Sequence, residues 1–448
     1  MMARLSRDPT VHDTESHADP DCDNTYVTSA LDALEDGDLP FRPGSARAAL
    51  GHATFRRVFI GAFLSNIGTW MQNVVLGALA YDLTRSPSFV GVLLFAQLGP
   101  LLLFSLTGGV LADLVDRRRL LIGVSITQGL LSLALAWVAR GADPSRVAIV
   151  AVVFLIGVGQ AVFAPTYSAV LPALVGRRDL AGAISLNSAQ MNGSRVIGPV
   201  IGAALYVRFG ASWVFVGNAA SYLLVIWSLL TVRLPRPAPD NSGVTGFRRL
   251  GAGLAIARGN RVVARCLVLI FVFSLLSLPF IGQLPTLAER NLDIAAKSSE
   301  YGILYSCFGI GALAGALSIG TVLADRNLVK VTRVGLLFFA GFLAAFALVR
   351  SPTTAYVAVM LVGVAYFAVI TSLSTVLQQQ LDDSSRGRVM ALWIMGFGGT
   401  VPIGNLLAGP VIEATSITVV VLIGAAVAVV LAWYADLSAS PAPASAVA

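Results

Sequence analysis

Gly109, Asp113, Arg117 and Arg118 stand in one charged interruption of an otherwise apolar stretch, Gly109-Val110-Leu111-Ala112-Asp113-Leu114-Val115-Asp116-Arg117-Arg118-Arg119. A helix that ends there presents partial negative charge, which disfavours a carboxylate. Asp113 therefore needs a cation or a backbone N–H. Arg117 lies four residues on, within reach if the chain stays helical, and the N-terminus of a neighbouring helix would serve as well. Gly109, one turn earlier, lets such a helix approach closely. Two readings fit: a latch between two moving bodies, or arginines that orient the chain in a bilayer beside a solvated aspartate.

Arg195 is the second chemical centre. It falls about twelve residues into an apolar run, near the middle of a membrane, where a charge costs a few kcal/mol and must find partners or water. The same run offers Asn187, Gln190, Asn192 and Ser194. Arg195 either binds an anionic substrate group or hydrogen-bonds the carbonyls of a neighbouring helix. A break follows at once in Gly198-Pro199-Val200-Ile201-Gly202, where proline removes a backbone donor and the glycines permit close packing. Helical spacing adds Asn66, Trp70, Asn73, Gln160, Tyr167, Tyr301, Tyr305, Trp393 and Asn405 as cavity candidates. Amides beside aromatics suit a large, partly apolar ligand; interhelical hydrogen bonding is the alternative.

Carboxylates are instructive by position. None falls in the middle of an apolar run. A proton-coupled mechanism would then rest on groups at the run ends: Asp82, Glu289, Glu300 or Glu413. The three histidines, His12, His17 and His52, precede the first run. Cys22, Cys266 and Cys307 have neither metal-ligand nor disulfide spacing. No phosphate-binding Gly-x-x-x-x-Gly-Lys stretch is present. The expectation is no cofactor, no metal and no enzyme.

These residues must be positioned by membrane-spanning helices. The chain is 56% hydrophobic and 12% charged, against about 25% charged in soluble domains, and its mean hydropathy is +0.78. The net charge of +7 lies in short loops and forms no continuous basic face, which argues against nucleic acid. Twelve apolar runs are expected near 58–81, 88–111, 120–139, 147–172, 183–207, 212–232, 263–288, 300–323, 332–350, 354–377, 389–412 and 416–435, with 147–172 and 263–288 tilted or kinked. With both ends cytoplasmic, the inner loops carry nineteen Lys and Arg and the outer loops seven, the bias that positive-inside orientation requires. The expected organisation is an acidic disordered tail over 1–51, six helices over 52–234, a cytoplasmic linker with an amphipathic helix over 235–262, six helices over 263–436, and a disordered tail over 437–448.

The halves echo each other. Gly320 to Arg326, with Asp325, follows the eighth run much as Gly109 to Asp113 follows the second, and Arg386-Gly387-Arg388 echoes the turn before the fifth run. Weak internal repetition in a polytopic chain points to paired transporter halves with a site between them.

The spacing Gly109, Asp113, Arg117, Arg118 resembles the loop signature of the major facilitator superfamily, with Asp116 where many members have glycine. Ser65-Asn66-Ile67-Gly68-Thr69-Trp70-Met71-Gln72, the Asp113–Arg119 loop and Arg386-Gly387-Arg388-Val389-Met390-Ala391 together resemble the bacterial branch of enterobactin exporters and transmembrane secretion effectors. Gly198, Pro199 and Gly202 resemble part of the helix-five motif of twelve-helix exporters, with Ala203 in place of its last glycine. The resemblance implies an all-α integral membrane protein with two pseudo-symmetric six-helix bundles. It also implies a conformational latch of Gly109, Asp113, Arg117 and Arg118, with Asp325, Arg326, Arg386 and Arg388 as the counterparts. The expected function is export of a small amphipathic molecule, such as a drug, siderophore or secondary metabolite, by proton antiport from a monomer in the cytoplasmic membrane. Uptake by a symporter or facilitator, a non-transporting sensor and an intramembrane enzyme are the competing classes.

Overall fold

The computed structural model describes residues 42–141, 143–176, 178–232 and 247–437. Within some described helices the side chains of 103, 105–114, 247–250, 252, 383 and 384 lie outside the description. The helices are α1 Ala46–Gly51, α2 Ala53–Thr84, α3 Pro87–Leu114, α4 Arg117–Val138, α5 Arg146–Val175, α6 Leu180–Phe209, α7 Ala211–Leu230, α8 Phe247–Gly259, α9 Arg261–Val272, α10 Pro279–Gly282, α11 Leu284–Leu292, α12 Ser299–Gly320, α13 Leu328–Leu348, α14 Pro352–Gln379, α15 Asp383–Ile394, α16 Thr400–Ala414 and α17 Ile417–Tyr434. In lipid every backbone N–H and C=O must be satisfied inside the chain, which helices achieve and isolated strands cannot.

Among the described residues, nine helices are long and apolar enough to cross a membrane. Three further long helices, α2, α3 and α6, pack among them. The cavity candidates Asn66, Trp70 and Asn73 lie on α2, and Asn187, Gln190 and Arg195 on α6. Helix starts are fixed by side-chain caps that satisfy otherwise orphaned N–H groups: Ser145 accepts from the Ala148 amide at 3.3 Å, Asn327 from the Val329 amide at 3.0 Å and Ser416 from the Val419 amide at 3.2 Å.

Helices α2 to α7 pack mainly on one another, as do α9 to α17; the two sets meet where α3 crosses α16 and α6 crosses α12. Buried amides tie the first set together. Asn218 of α7 donates to Gln72 of α2 at 2.9 Å and to Ser132 of α4 at 3.3 Å. The second set is knitted by rings: Phe273 lies 4.9 Å from Phe339 edge-on and 6.3 Å from Tyr366. A Cβ on Gly311 would collide with the Met360 carbonyl, so α12 and α14 touch backbone to backbone.

The run expected over 263–288 is interrupted. A π-turn at Phe273–Ser277 follows α9, and the chain breaks again at Gln283 before α11. The 389–412 run carries a matching π-turn at Met395–Gly399 between α15 and α16. Each π-turn places one extra residue in the helical ladder. The two turns lie close together: Thr400, directly after the second, donates to the Gly396 carbonyl within it at 2.6 Å and to the carbonyl of Phe271, two residues before the first, at 3.4 Å.

The stretch assigned to a polar tail, 1–51, includes described structure at its end. Ala49 of α1 is fully buried, and a Cβ on Gly182 would collide with the Ser45 carbonyl. Asp179, ahead of α6, accepts from the Gly44 amide at 2.9 Å and contacts His52 Nε2 at 2.8 Å. These two contacts hold the Asp179 carboxyl below the usual range, the His52 contact contributing most. Residues 1–41, 233–246 and 438–448 lie outside the described residues, as do most of the linker ahead of α8 and the closing tail.

Candidate functional site

Arg195 sits where the two helix sets meet. Its guanidinium carbon lies 4.9 Å from the Trp70 ring of α2 and 4.9 Å from the Phe367 ring of α14. Tyr305 and Tyr366 are close enough to interact electrostatically with it. Trp70 and Tyr305 also face each other, ring centres 6.5 Å apart. No hydrogen-bond acceptor or carboxylate among the described residues pairs with the guanidinium. Two aromatic faces favour a cation but leave the five N–H donors in the guanidinium plane without a partner among the described residues.

Among the described residues Arg195 makes no hydrogen bond to a neighbouring helix carbonyl; its neighbour Ser194 donates to the Phe63 carbonyl of α2 at 3.5 Å. Ser306 of α12 donates to the Val196 carbonyl at 2.8 Å, and a Cβ on Gly309 would press on the Arg195 carbonyl at 3.1 Å. Gly198 and Gly202 lie against Trp70 and Met71, where a Cβ would fall 2.9 Å or closer, and Pro199 packs its carbonyl against Gly302. The helix-five glycines therefore bring α2 and α12 onto α6 and set Trp70 beside Arg195.

Two cavities flank this point. One, of about 180 Å³, is lined by Trp70, Asn73, Gln97, Gly282, Tyr301 and Tyr305 among others. Asn73 accepts from Gln97 Nε2 at 2.6 Å. The other, of about 140 Å³, is lined by Asn66, Thr69, Gln160, Tyr167, Asn187 and Gln190 among others. Nine sequence candidates, Trp70 among them, thus reach a cavity wall directly; Arg195 itself lines neither cavity. Trp393 does not: it is 5% exposed and packs in the apolar core. Asn405 is fully buried on α16, donating to the Val401 carbonyl at 3.0 Å, with Oδ1 unpaired against Gly282. Gln97, Phe367 and Tyr366 were missed. A single amide in an apolar run was the available signal for Gln97; an aromatic in such a run is ordinary and gave none for the other two.

The rim carboxylates form a clasp between the helix sets. Arg85 pairs with Glu289 and, at 3.2 Å, with Asp82. Glu413 accepts from the Ser86 hydroxyl at 2.5 Å and the Ser88 amide at 3.2 Å. Arg290 donates to the Tyr81 hydroxyl at 3.1 Å, and Gln283 to the Pro87 carbonyl at 3.0 Å. Lys297 lies 5.4 Å from the Tyr206 ring, whose hydroxyl is 3.4 Å from Asp82. Glu300 stands apart from this group, exposed beside Tyr356. Arg85 is held in the left-handed region, φ 53°, as the cap of α2, a conformation uncommon for a residue with a Cβ.

At the opposite end the arginines bind carbonyls. Arg118 donates to Leu229 and Leu230 at 2.7 Å each, and Arg117 to Ala169 at 3.1 Å. A cation there also complements the negative C-terminus of α7. The Gly109 and Asp113 positions lie outside the described side chains. Asp325 and Arg326 are exposed in the turn after α12; Arg386 and Arg388 lie on α15, and the Arg388 carbonyl abuts Gly253 of α8.

Residues 44–445 match the family described as transmembrane secretion effector. The chain belongs to that family. The chain is 28% identical over 365 residues to the enterobactin exporter EntS of Shigella boydii serotype 4 (strain Sb227), covering 76% of this chain and 81% of that protein. EntS of Escherichia coli O1:K1 / APEC gives the same identity and coverage. Among solved structures, the nucleoside transporter NupG superposes with a TM-score of 0.64 at 17% identity, covering 86% of this chain and 98% of NupG. A bacterial homologue of the iron transporter ferroportin, in an inward-facing state, gives 0.65 at 15% identity over 86% and 98%. The fold is that of the major facilitator superfamily. The protein is a multi-pass membrane transporter and not an enzyme.

Proposed function

We propose that this protein exports a small amphipathic molecule with an anionic group, by alternating access of two six-helix bundles, 52–234 and 263–436, joined by the 235–262 linker. The observation that carries this reading is the Arg195 guanidinium, cushioned by Trp70 and Phe367 from opposite helix sets and lacking an acceptor among the described residues. An anion there touches both bundles at once, so its binding energy differs between their two arrangements. Only such a difference lets a ligand shift a conformational equilibrium.

The Arg85–Glu289 end faces outside in this reading, with both termini cytoplasmic and the molecule a monomer. The clasp then closes the outer mouth. Proton antiport would use Asp82, Glu289 and Glu413, carboxylates whose protonation loosens that clasp, with Glu300, which stands apart from the clasp beside Tyr356, as the remaining candidate. Asp113 with Gly109, Arg117, Arg118, Asp325, Arg326, Arg386 and Arg388 would latch the inner end in the opposite state.

Everted vesicles test direction and coupling together. Enterobactin, the molecule named for the EntS relatives, is the first compound to offer. Accumulation that requires an inside-acid gradient supports export by antiport. Accumulation only in right-side-out vesicles would replace export with uptake, and dependence on ATP hydrolysis would remove secondary transport.

A further inference from the structure

We propose that the cavity walled by α2, α3, α10, α12 and α16 is a binding site for an uncharged, ring-sized group that carries a hydrogen-bond donor beside an acceptor, as a lactam does. The proposal goes beyond the Arg195 reading and does not rest on it. The wall holds no Asp, Glu, Lys, Arg or His, so a charged group has nothing there to pair with. The volume is about 180 Å³, and a cavity of about 150 Å³ holds one benzene. One substituted six-membered ring is the size that fits.

An amide pair sets the chemistry. Gln97 of α3 donates through Nε2 to Asn73 Oδ1 of α2 at 2.6 Å. That bond engages one of the two donors on Gln97 and one of the two lone pairs on the Asn73 oxygen. Asn73 Nδ2 and Gln97 Oε1 have no partner among the described residues. Neither is sealed: both side chains are partly exposed and stand in the cavity wall. Turning both amides over exchanges their roles and still leaves one donor and one acceptor unspent. Tying α2 to α3 needs only the single bond between them. The spare donor and acceptor face a cavity whose remaining wall is largely apolar, with Val74, Leu93, Leu94 and Val401 in it. A lactam matches this: its N–H meets the amide oxygen, its C=O meets the amide N–H, and its ring meets the apolar wall.

The amide pair belongs to the first helix set. Tyr301 and Tyr305 of α12, Gly282 of α10 and Val401 of α16 bring the rest of the wall from the second. Gly282 directly precedes Gln283, whose amide donates to the Pro87 carbonyl across the clasp. The wall is therefore whole only while that end of the molecule is closed. A group held there meets both helix sets in the closed arrangement and loses one of them in the other, so it favours closure.

2-Pyridone, a neutral six-membered lactam, is the probe, and N-methyl-2-pyridone, which lacks the donor, is its control. Both are titrated against the purified full chain by saturation-transfer NMR. 2-Pyridone should bind about tenfold more tightly, the usual penalty for leaving one polar group of a site unmatched. Asn73→Leu together with Gln97→Leu removes both amides at once, which leaves neither orphaned, and should bring the ratio to about one. A second measurement needs no change to the pair. Gly77 stands in the same wall, and 2-pyridone should slow the reaction of a thiol reagent with Gly77→Cys several-fold, in a background with the native cysteines replaced. This labelling decides alone if the double variant does not fold. No binding of 2-pyridone to folded wild-type protein, equal affinity for the two probes, a ratio that survives in the double variant, or labelling untouched by 2-pyridone each overturns the site. None of these readouts passes through Arg195, so the outcome is separate from the test of that residue.

Discussion

The Arg85 guanidinium at the end of α2 is ion-paired with Glu289 of α11, bridging two helix sets far apart in sequence. Neither residue is buried, their side chains being 56% and 27% exposed, and exposed pairs contribute about 0.2–1 kcal/mol each. The clasp therefore works as a group of weak contacts that can release one at a time. Glu289→Gln should raise opening of this end only about two- to fivefold; combined with Glu413→Gln, which also removes the carboxylate bonded to Ser86 and Ser88, the effect should be larger. Labelling of Gly77→Cys by an impermeant thiol reagent measures it, in a background with the native cysteines replaced. Gly77 lines the larger cavity and a Cβ there has 3.9 Å to Pro285. Unchanged labelling in the double variant would remove the clasp as a gate.

Gly311 tests packing within one helix set. A Cβ there meets the Met360 carbonyl, and backbone cannot yield as a flexible side chain does. Gly311→Ala should lower stability by about 1–3 kcal/mol, the usual cost of overpacking, despite alanine's better helix propensity. A thermal series followed by size-exclusion in detergent reads it; an unchanged or raised midpoint would show that α12 and α14 separate more easily than their contact suggests.

Asp179 gives a pH dependence with a defined sign. Its carboxyl is held below the usual range, first by His52 and then by the Gly44 amide. A depressed folded value means its contribution is present above the unfolded value, near 4, and is lost as pH falls through the folded value. Docking of α1 should thus be kept at neutral pH and released in acid below the ordinary carboxylate range. Hydrogen exchange at the Gly44 and Ala49 amides follows this. Asp179→Asn should speed exchange there at neutral pH; exchange equal to wild type would mean α1 is held by its apolar face alone.

Asp113→Asn tests the inner latch, which rests on the sequence alone. The variant should reach the membrane in normal amount and transport several-fold more slowly. Normal flux would leave Asp113 as a topology signal, with Arg117 and Arg118 serving the carbonyls of α5 and α7.

The nine helices that qualify as spans among the described residues were legible because lipid demands about twenty apolar residues in a row, and that demand is written locally. Arg195 was legible for a related reason: a charge stands out against Val196 and Ile197. Its cage was not, since Phe367 is one ring in an apolar run and only the tertiary fold brings it to α6. The π-turns at Phe273 and Met395 also escaped, because an inserted residue leaves hydropathy unchanged. The rim carboxylates were visible, yet their pairing across the helix sets depends on which loops meet. Ala49 and Gly44 read as tail because a six-residue helix has no periodicity to detect.

The most direct test of the account is the transport rate of enterobactin in everted vesicles containing wild-type protein, Arg195→Lys or Arg195→Gln, at equal amounts of folded protein. Loss of a charge-assisted contact costs about 1.5–3 kcal/mol, so Arg195→Gln should transport at least about tenfold more slowly, and Arg195→Lys should fall between, because it keeps the charge but not the planar fork. Wild-type rates in Arg195→Gln would contradict the central claim that this guanidinium meets the ligand.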